Sequence, residues 1–228
     1  MSELETKLPG GTPLFAVLPP GARRGMIVIH EIFGRQPEID RVVHRFAAAG
    51  YAAAAPDLFS RGVRLACIVG ALRAMASGSG PAIDAVHAAR LWLCEKAGLD
   101  AGRVGLIGFC FGGGFALAAG PGFAAVSTNY GEVPPTEVMR GIGPVIGCYA
   151  GRDKLFDNGA KLTARLAPLG VAPEVHRFDT VGHSFLTDGH HPIGAALSRP
   201  FFHLEARDPA VREAAWARIL EFFERKIP

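Results

Sequence analysis

Gly108-Phe109-Cys110-Phe111-Gly112-Gly113-Gly114 decides the reading of this chain. The apolar run 104–109 leading into it reads as a buried strand, and 111–119 reads as a helix that begins in glycines. A strand that becomes a helix across a single residue forces strained backbone angles on that residue. Side chains two positions away on either side would collide, and glycine stands at both 108 and 112. The pattern is G-x-S-x-G with sulfur in place of oxygen, which makes Cys110 a candidate nucleophile raised on the turn. A phosphate-binding loop would instead need G-x-x-x-x-G-K-[ST], and no lysine follows here. The partial positive charge of a helix N-terminus favours a thiolate, and a free thiol with a pKa of about 8.5 needs such help at neutral pH. The N–H of Phe111, in the first helical turn, is a candidate oxyanion donor.

The rest of the chain repeats this alternation. Apolar runs bounded by Pro and Gly predict strands at 14–18, 26–29, 51–55, 123–127, 144–149 and 174–178. Helical spacing predicts a helix at 37–49 through Ile39, Val42, Val43 and Phe46, and one at 158–169. A further helix opens at Pro81 and ends near Gly98, with Ile83, Val86, Ala89 and Leu93 on one face. The C-terminal helix starts at Asp208-Pro209, an N-cap followed by proline, and turns Ala215, Ile219, Phe222 and Phe223 inward. Repeated β-α-β order with continuous apolar strands predicts an α/β protein whose mostly parallel central sheet carries helices on both faces. Right-handed crossovers put its chemistry at the carboxyl ends of the strands. With no linker, repeat or low-complexity tract in 228 residues, one domain over 1–228 is expected.

Composition narrows the class. At 49% hydrophobic and 20% charged residues the chain is not disordered. Its net charge of +3 is dispersed, with no basic block longer than Arg23-Arg24, so neither nucleic acid nor an anionic membrane is an expected partner. No apolar run approaches the ~18 residues of a membrane span, and the N-terminus lacks the apolar stretch of a secretory signal; a cytoplasmic protein is expected. The four cysteines form no C-x-x-C pair, so neither a zinc site nor a thioredoxin-type motif is indicated, and a cytoplasmic address makes disulfides unexpected. Cys67, Cys94 and Cys148 read as small core residues. His190-His191 reads as loop, because no third ligand lies at metal spacing.

Nucleophilic catalysis needs a base and an acid to orient it. An α/β-hydrolase carries nucleophile, acid and histidine in that chain order. Two turns answer. Gly151-Arg152-Asp153 follows the predicted strand 144–149, and Gly182-His183-Ser184-Phe185 follows 174–178. Both place their functional side chain at the same sheet edge as Cys110, and Asp157 is the better helix cap of the two nearby acids. A fourth signal is His30-Glu31-Ile32-Phe33-Gly34, straight after the strand 26–29. Glu31 there is within reach of the thiol, and the N–H of Ile32 is a candidate second oxyanion donor.

Together with Ala55-Pro56-Asp57-Leu58-Phe59, these motifs resemble the dienelactone hydrolase family, in order and over nearly the whole chain. The resemblance implies an α/β-hydrolase fold, no cofactor, a Cys110–His183–Asp153 triad, and a Glu31 that contacts the resting thiol and takes its proton when substrate binds. It implies a small ester or lactone as substrate. Members that cleave dienelactone hold the substrate carboxylate with two arginines. Arg61, with Arg64 close by, occupies one of those neighbourhoods; the other reads Leu186-Thr187 and supplies no cation. Uncharged or singly anionic esters and lactones are therefore the expected substrates. The apolar segment 65–75 reads as core, with a lid over the site as the other reading. A thiol-dependent peroxide reducer and a non-catalytic binding module are the competing classes. The first lacks a resolving cysteine motif, and the second leaves three ordered catalytic residue types unexplained.

Overall fold

A computed structural model describes residues 1–60, 62–187 and 203–228. Eight strands form one sheet in the order β1-β2-β4-β3-β5-β6-β7-β8. They are β1 (Ser2–Lys7), β2 (Pro13–Leu18), β3 (Arg24–Ile29), β4 (Tyr51–Pro56), β5 (Val104–Phe109), β6 (Val126–Asn129), β7 (Val145–Ala150) and β8 (Glu174–Phe178). From β4 to β8 every neighbouring pair is parallel, while β2 runs antiparallel to β1 and β4. The helices are α1 (Pro37–Ala48), α2 (Arg64–Ser77), α3 (Pro81–Ala97), α4 (Phe111–Ala119), α5 (Gly159–Leu166) and α6 (Pro209–Lys226).

The two-residue period of a strand divides the core. Ile27, Ile29, Val104 and Leu106 face a cluster filled by α3, α4 and α5. Met26, Val28, Ile107 and Phe109 face the opposite cluster, where α1 contributes Ile39, Val42, Val43 and Phe46 and α6 contributes Ala215, Ile219, Phe222 and Phe223. These are the helix faces the spacing predicts. Asp208 caps α6 as expected, its carboxylate accepting from the N–H groups of Ala210 and Val211.

Three expectations need correction. Sequence reading overlooks β1, whose Ser-Glu-Leu-Glu-Thr-Lys is mostly exposed and polar and becomes a strand only by pairing with β2. The sixth strand lies at Val126–Asn129 rather than 123–127, because pairing with β5 begins at Val126. The segment expected in the core is the helix α2, of which only Ala71 and Ala74 are fully buried. Its small residues sit against α3 and α4, so Leu65, Val69 and Leu72 are left facing solvent. Cys148 is buried, whereas Cys67 and Cys94 are half-buried at the edge of the core.

Candidate active site

All the motif residues that the structure describes gather at the carboxyl-terminal edge of the sheet. Cys110 follows β5 with φ +54° and ψ −120° and is the N-cap of α4. The glycines around it are there for space. A Cβ on Gly108 would lie 1.8 Å from the Gly112 carbonyl oxygen, and one on Gly112 would lie 2.5 Å from that of His30. The elbow is tied from the next strand: the Cys110 N–H donates to the Asn129 carbonyl at 3.0 Å, and the Asn129 side-chain amide donates to the Gly108 carbonyl at 2.9 Å. Phe111 opens α4, so its N–H has no acceptor within the helix. Gly112 also lies close against the backbone of Ile29 and His30 at the end of β3.

Asp153 is 2% exposed. Its Oδ1 accepts from the N–H groups of Leu155 and Phe156, both at 3.0 Å, which leaves Oδ2 for His183 Nδ1 at 2.5 Å. The neighbouring acids are engaged elsewhere, since Asp157 and Asp179 both pair with Arg177. Asp157 does not cap α5, whose N-cap is Asn158. His183 is buried between the rings of Tyr130 and Phe156. Burial disfavours its charge, but the Cys110 sulfur nearby and the Asp153 carboxylate hydrogen-bonded to the ring outweigh that and push its pKa up to about 10. Asp153 and His183 are joined by a hydrogen bond, and the Cys110 sulfur lies close enough to act on the His183 charge.

Glu31 lies beside these groups. Burial raises the pKa of its carboxyl, opposed by the His183 charge and by hydrogen bonds from Ser184 and Thr187. The Thr187 hydroxyl donates to Glu31 Oε1 at 3.1 Å and stands 3.5 Å from the Tyr130 hydroxyl. Thr187 is 1% exposed, so where an arginine was sought the chain holds a buried hydroxyl aimed at Glu31. His30 explains two further motifs. Its Nδ1 bonds the Glu31 carbonyl at 2.8 Å and its Nε2 accepts from the Leu58 N–H at 3.0 Å. That pairing needs a neutral ring, and burial lowers the His30 pKa accordingly. Phe59 packs edge-on against His30 and touches Phe111, which joins the Pro56-Asp57-Leu58-Phe59 turn to the elbow.

Arg64 reaches the rim, where its guanidinium donates to the Phe33 carbonyl. Arg61 and His190-His191 lie outside the described residues. Sequence reasoning missed Asn129, Tyr130 and the role of Thr187. The signal for the first two was available, since Asn129 ends the strand beside the elbow strand and Tyr130 follows it, where side chains meet the site. Among the described residues no group of three or more His, Cys, Asp or Glu side chains is placed to hold a metal ion, and no helix is long and apolar enough to cross a membrane.

A mostly parallel sheet of this order with a strained residue between β5 and its helix defines an α/β-hydrolase. The dienelactone hydrolase family model matches residues 13–227, and the chain belongs to that family. It is 28% identical to a carboxymethylenebutenolidase from Rhodococcus opacus, over 97% of this chain and 90% of that one. Its fold is similar to that of a dienelactone hydrolase-like promiscuous phosphotriesterase from metagenomic libraries, with a TM-score of 0.78 at 21% identity, covering 100% of this chain and 99% of the other. It is also similar to a fungal esterase from Rhizomucor miehei, with a TM-score of 0.68 at 13% identity, covering 99% and 83%.

Proposed function

We propose that this protein hydrolyses a small ester or lactone through an acyl-enzyme on Cys110, acting as one domain without a cofactor. The observation that carries the reading is the Asp153–His183 pair set beside Cys110 on the strained elbow. The Cys110 sulfur attacks the acyl carbon, forming a C–S bond, and the oxyanion receives the N–H groups of Phe111 and Ile32. Glu31 takes the thiol proton as substrate enters, which keeps His183 charged and able to protonate the leaving alkoxide as the C–O bond breaks. His183, now neutral, takes a proton from water. The resulting hydroxide attacks the thioester, the C–S bond breaks to release the acid, and Glu31 returns its proton to the departing thiolate, so that thiol, carboxylate and charged His183 stand as at the start. Asp153 holds the imidazole in the tautomer that both steps require.

Thr187 supports a substrate preference for neutral or singly anionic esters and lactones. Its hydroxyl is engaged with Glu31 and offers no charge to a second substrate carboxylate. Arg64 and Arg61 are the proposed contacts for a first one. A panel of small esters and lactones, assayed with wild type and Cys110→Ala, tests the function. Turnover should vanish in the variant, neutral esters should exceed dienelactone in kcat/KM, and mass spectrometry of quenched wild type should place the acyl group on the Cys110 peptide. Full activity of Cys110→Ala would overturn the reading.

The Glu31 role predicts a pH effect at Thr187. A hydrogen bond from Thr187 favours the ionised carboxyl, so Thr187→Val raises the Glu31 pKa beyond what burial already does. A base is active only when ionised. Acylation in the variant should therefore fall on the acid side and recover as pH rises, while Thr187→Ser behaves as wild type. Stopped-flow acylation rates across pH check this, and superimposable profiles for Thr187→Val and wild type would remove Glu31 from the mechanism.

A further inference from the structure

The opposite edge of the sheet holds a cavity of about 460 Å3. Strand register builds it. Arg24 pairs with Tyr51 and Gly25 pairs with Val104, so Arg24, Tyr51 and Arg103 stand at the amino-terminal ends of the adjacent strands β3, β4 and β5. Arg23 adds a third guanidinium, and Gly50 and Pro228 line the walls beside them. β5 rises ~3.3 Å per residue over its length, which sets this cavity roughly 20 Å from Cys110.

Its arginines lack carboxylate partners among the described residues. Arg35, Arg41, Arg45, Arg177 and Arg225 each pair with a carboxylate, but Arg23, Arg24 and Arg103 form no ion pair among the described residues. Tyr51 is 4% exposed, with its ring packed on Phe46, and its hydroxyl has no hydrogen-bond acceptor. Arg24 lies beside that hydroxyl, yet a guanidinium only donates, so the phenolic proton is still unmatched. Burial raises the phenol's pKa and keeps it protonated. The nearest acid acting on Tyr51 is Glu224, an exposed residue of α6 that forms no ion pair with these arginines. Three arginines that pair with no carboxylate among the described residues therefore line a single concave space, with the buried Tyr51 hydroxyl behind them beside Arg24.

We propose that this cavity binds a small molecule carrying a phosphate group. Planar guanidinium forks match phosphate oxygens two at a time. The volume falls in the range of small-molecule pockets, and the weak overall charge of the chain argues for a compact ligand over a polymer. The site is separate from the hydrolytic one and stands whether or not Cys110 is the nucleophile.

Calorimetric titration of the full chain with pyrophosphate, at fixed ionic strength, tests it. Saturable binding is expected, with an upward shift of the unfolding midpoint. Cys110→Ala should leave the affinity unchanged. The double substitution Arg24→Gln with Arg103→Gln should weaken binding about tenfold or more, as loss of charge-assisted contacts does. The double variant should retain ester hydrolysis as proof of folding. No saturable heat at millimolar pyrophosphate would overturn the proposal. So would unchanged affinity in the double variant, or tighter binding of citrate than of pyrophosphate.

Discussion

Asp153→Asn is expected to fold normally and to lose about 10⁴ in kcat, the cost of a wrong imidazole tautomer in a related triad. The hydrogen bonds around position 153 say why. Oδ1 is committed to the N–H groups of Leu155 and Phe156 and must remain an acceptor. An asparagine would keep its carbonyl oxygen there and turn its NH₂ towards His183 Nδ1. That nitrogen would become the acceptor, the ring proton would move to Nε2, and Nε2 could no longer take a proton at the sulfur side. The variant would also lose the carboxylate charge that helps to hold the His183 pKa near 10. Steady-state kinetics beside a thermal melt checks both halves. Wild-type kcat would show that Asp153 is not the orienting acid.

Gly108→Ala should damage the fold itself. The added Cβ would meet the carbonyl oxygen of Gly112 at 1.8 Å and its carbonyl carbon at 2.3 Å, and both are backbone atoms that no rotamer change can move. Relief requires opening the elbow, so a destabilisation of more than about 4 kcal/mol is expected, a drop of roughly 10 °C or more in Tm for a chain of this size. Gly70→Ala is the matching control. Gly70 sits in α2 with open space where a Cβ would stand, and alanine there should stabilise the helix by about 0.5–1 kcal/mol. Equal melting temperatures for Gly108→Ala and wild type would mean that the turn is not built as described.

The elbow was legible because its requirement is local. Two glycines flanking one cysteine, between an apolar strand and a helix, state a steric demand within seven residues. Asp153 and His183 were legible for a related reason, as each closes the turn after a β-rich run and the α/β-hydrolase order supplies their roles. Glu31 was found by the same placement at a strand end. Its partners were not: Thr187 is 156 residues away, and no periodicity links the two.

The sequence by itself determined the layered α/β architecture, the assignment of α1, α3 and α6 faces to the core, and the order of the candidate catalytic residues. Each of these follows from side-chain period or from a turn's need for glycine, which act over one element. Only the tertiary structure decided that β1 is a strand, since its polar residues gain that conformation from β2. It alone decided that α2 exposes Leu65, Val69 and Leu72, that Thr187 faces Glu31 and Tyr130, and that Arg24, Tyr51 and Arg103 converge on one cavity. Those outcomes depend on strand register and on which surfaces meet. Register is set by pairing between segments far apart in the chain, so no single stretch of residues carries it.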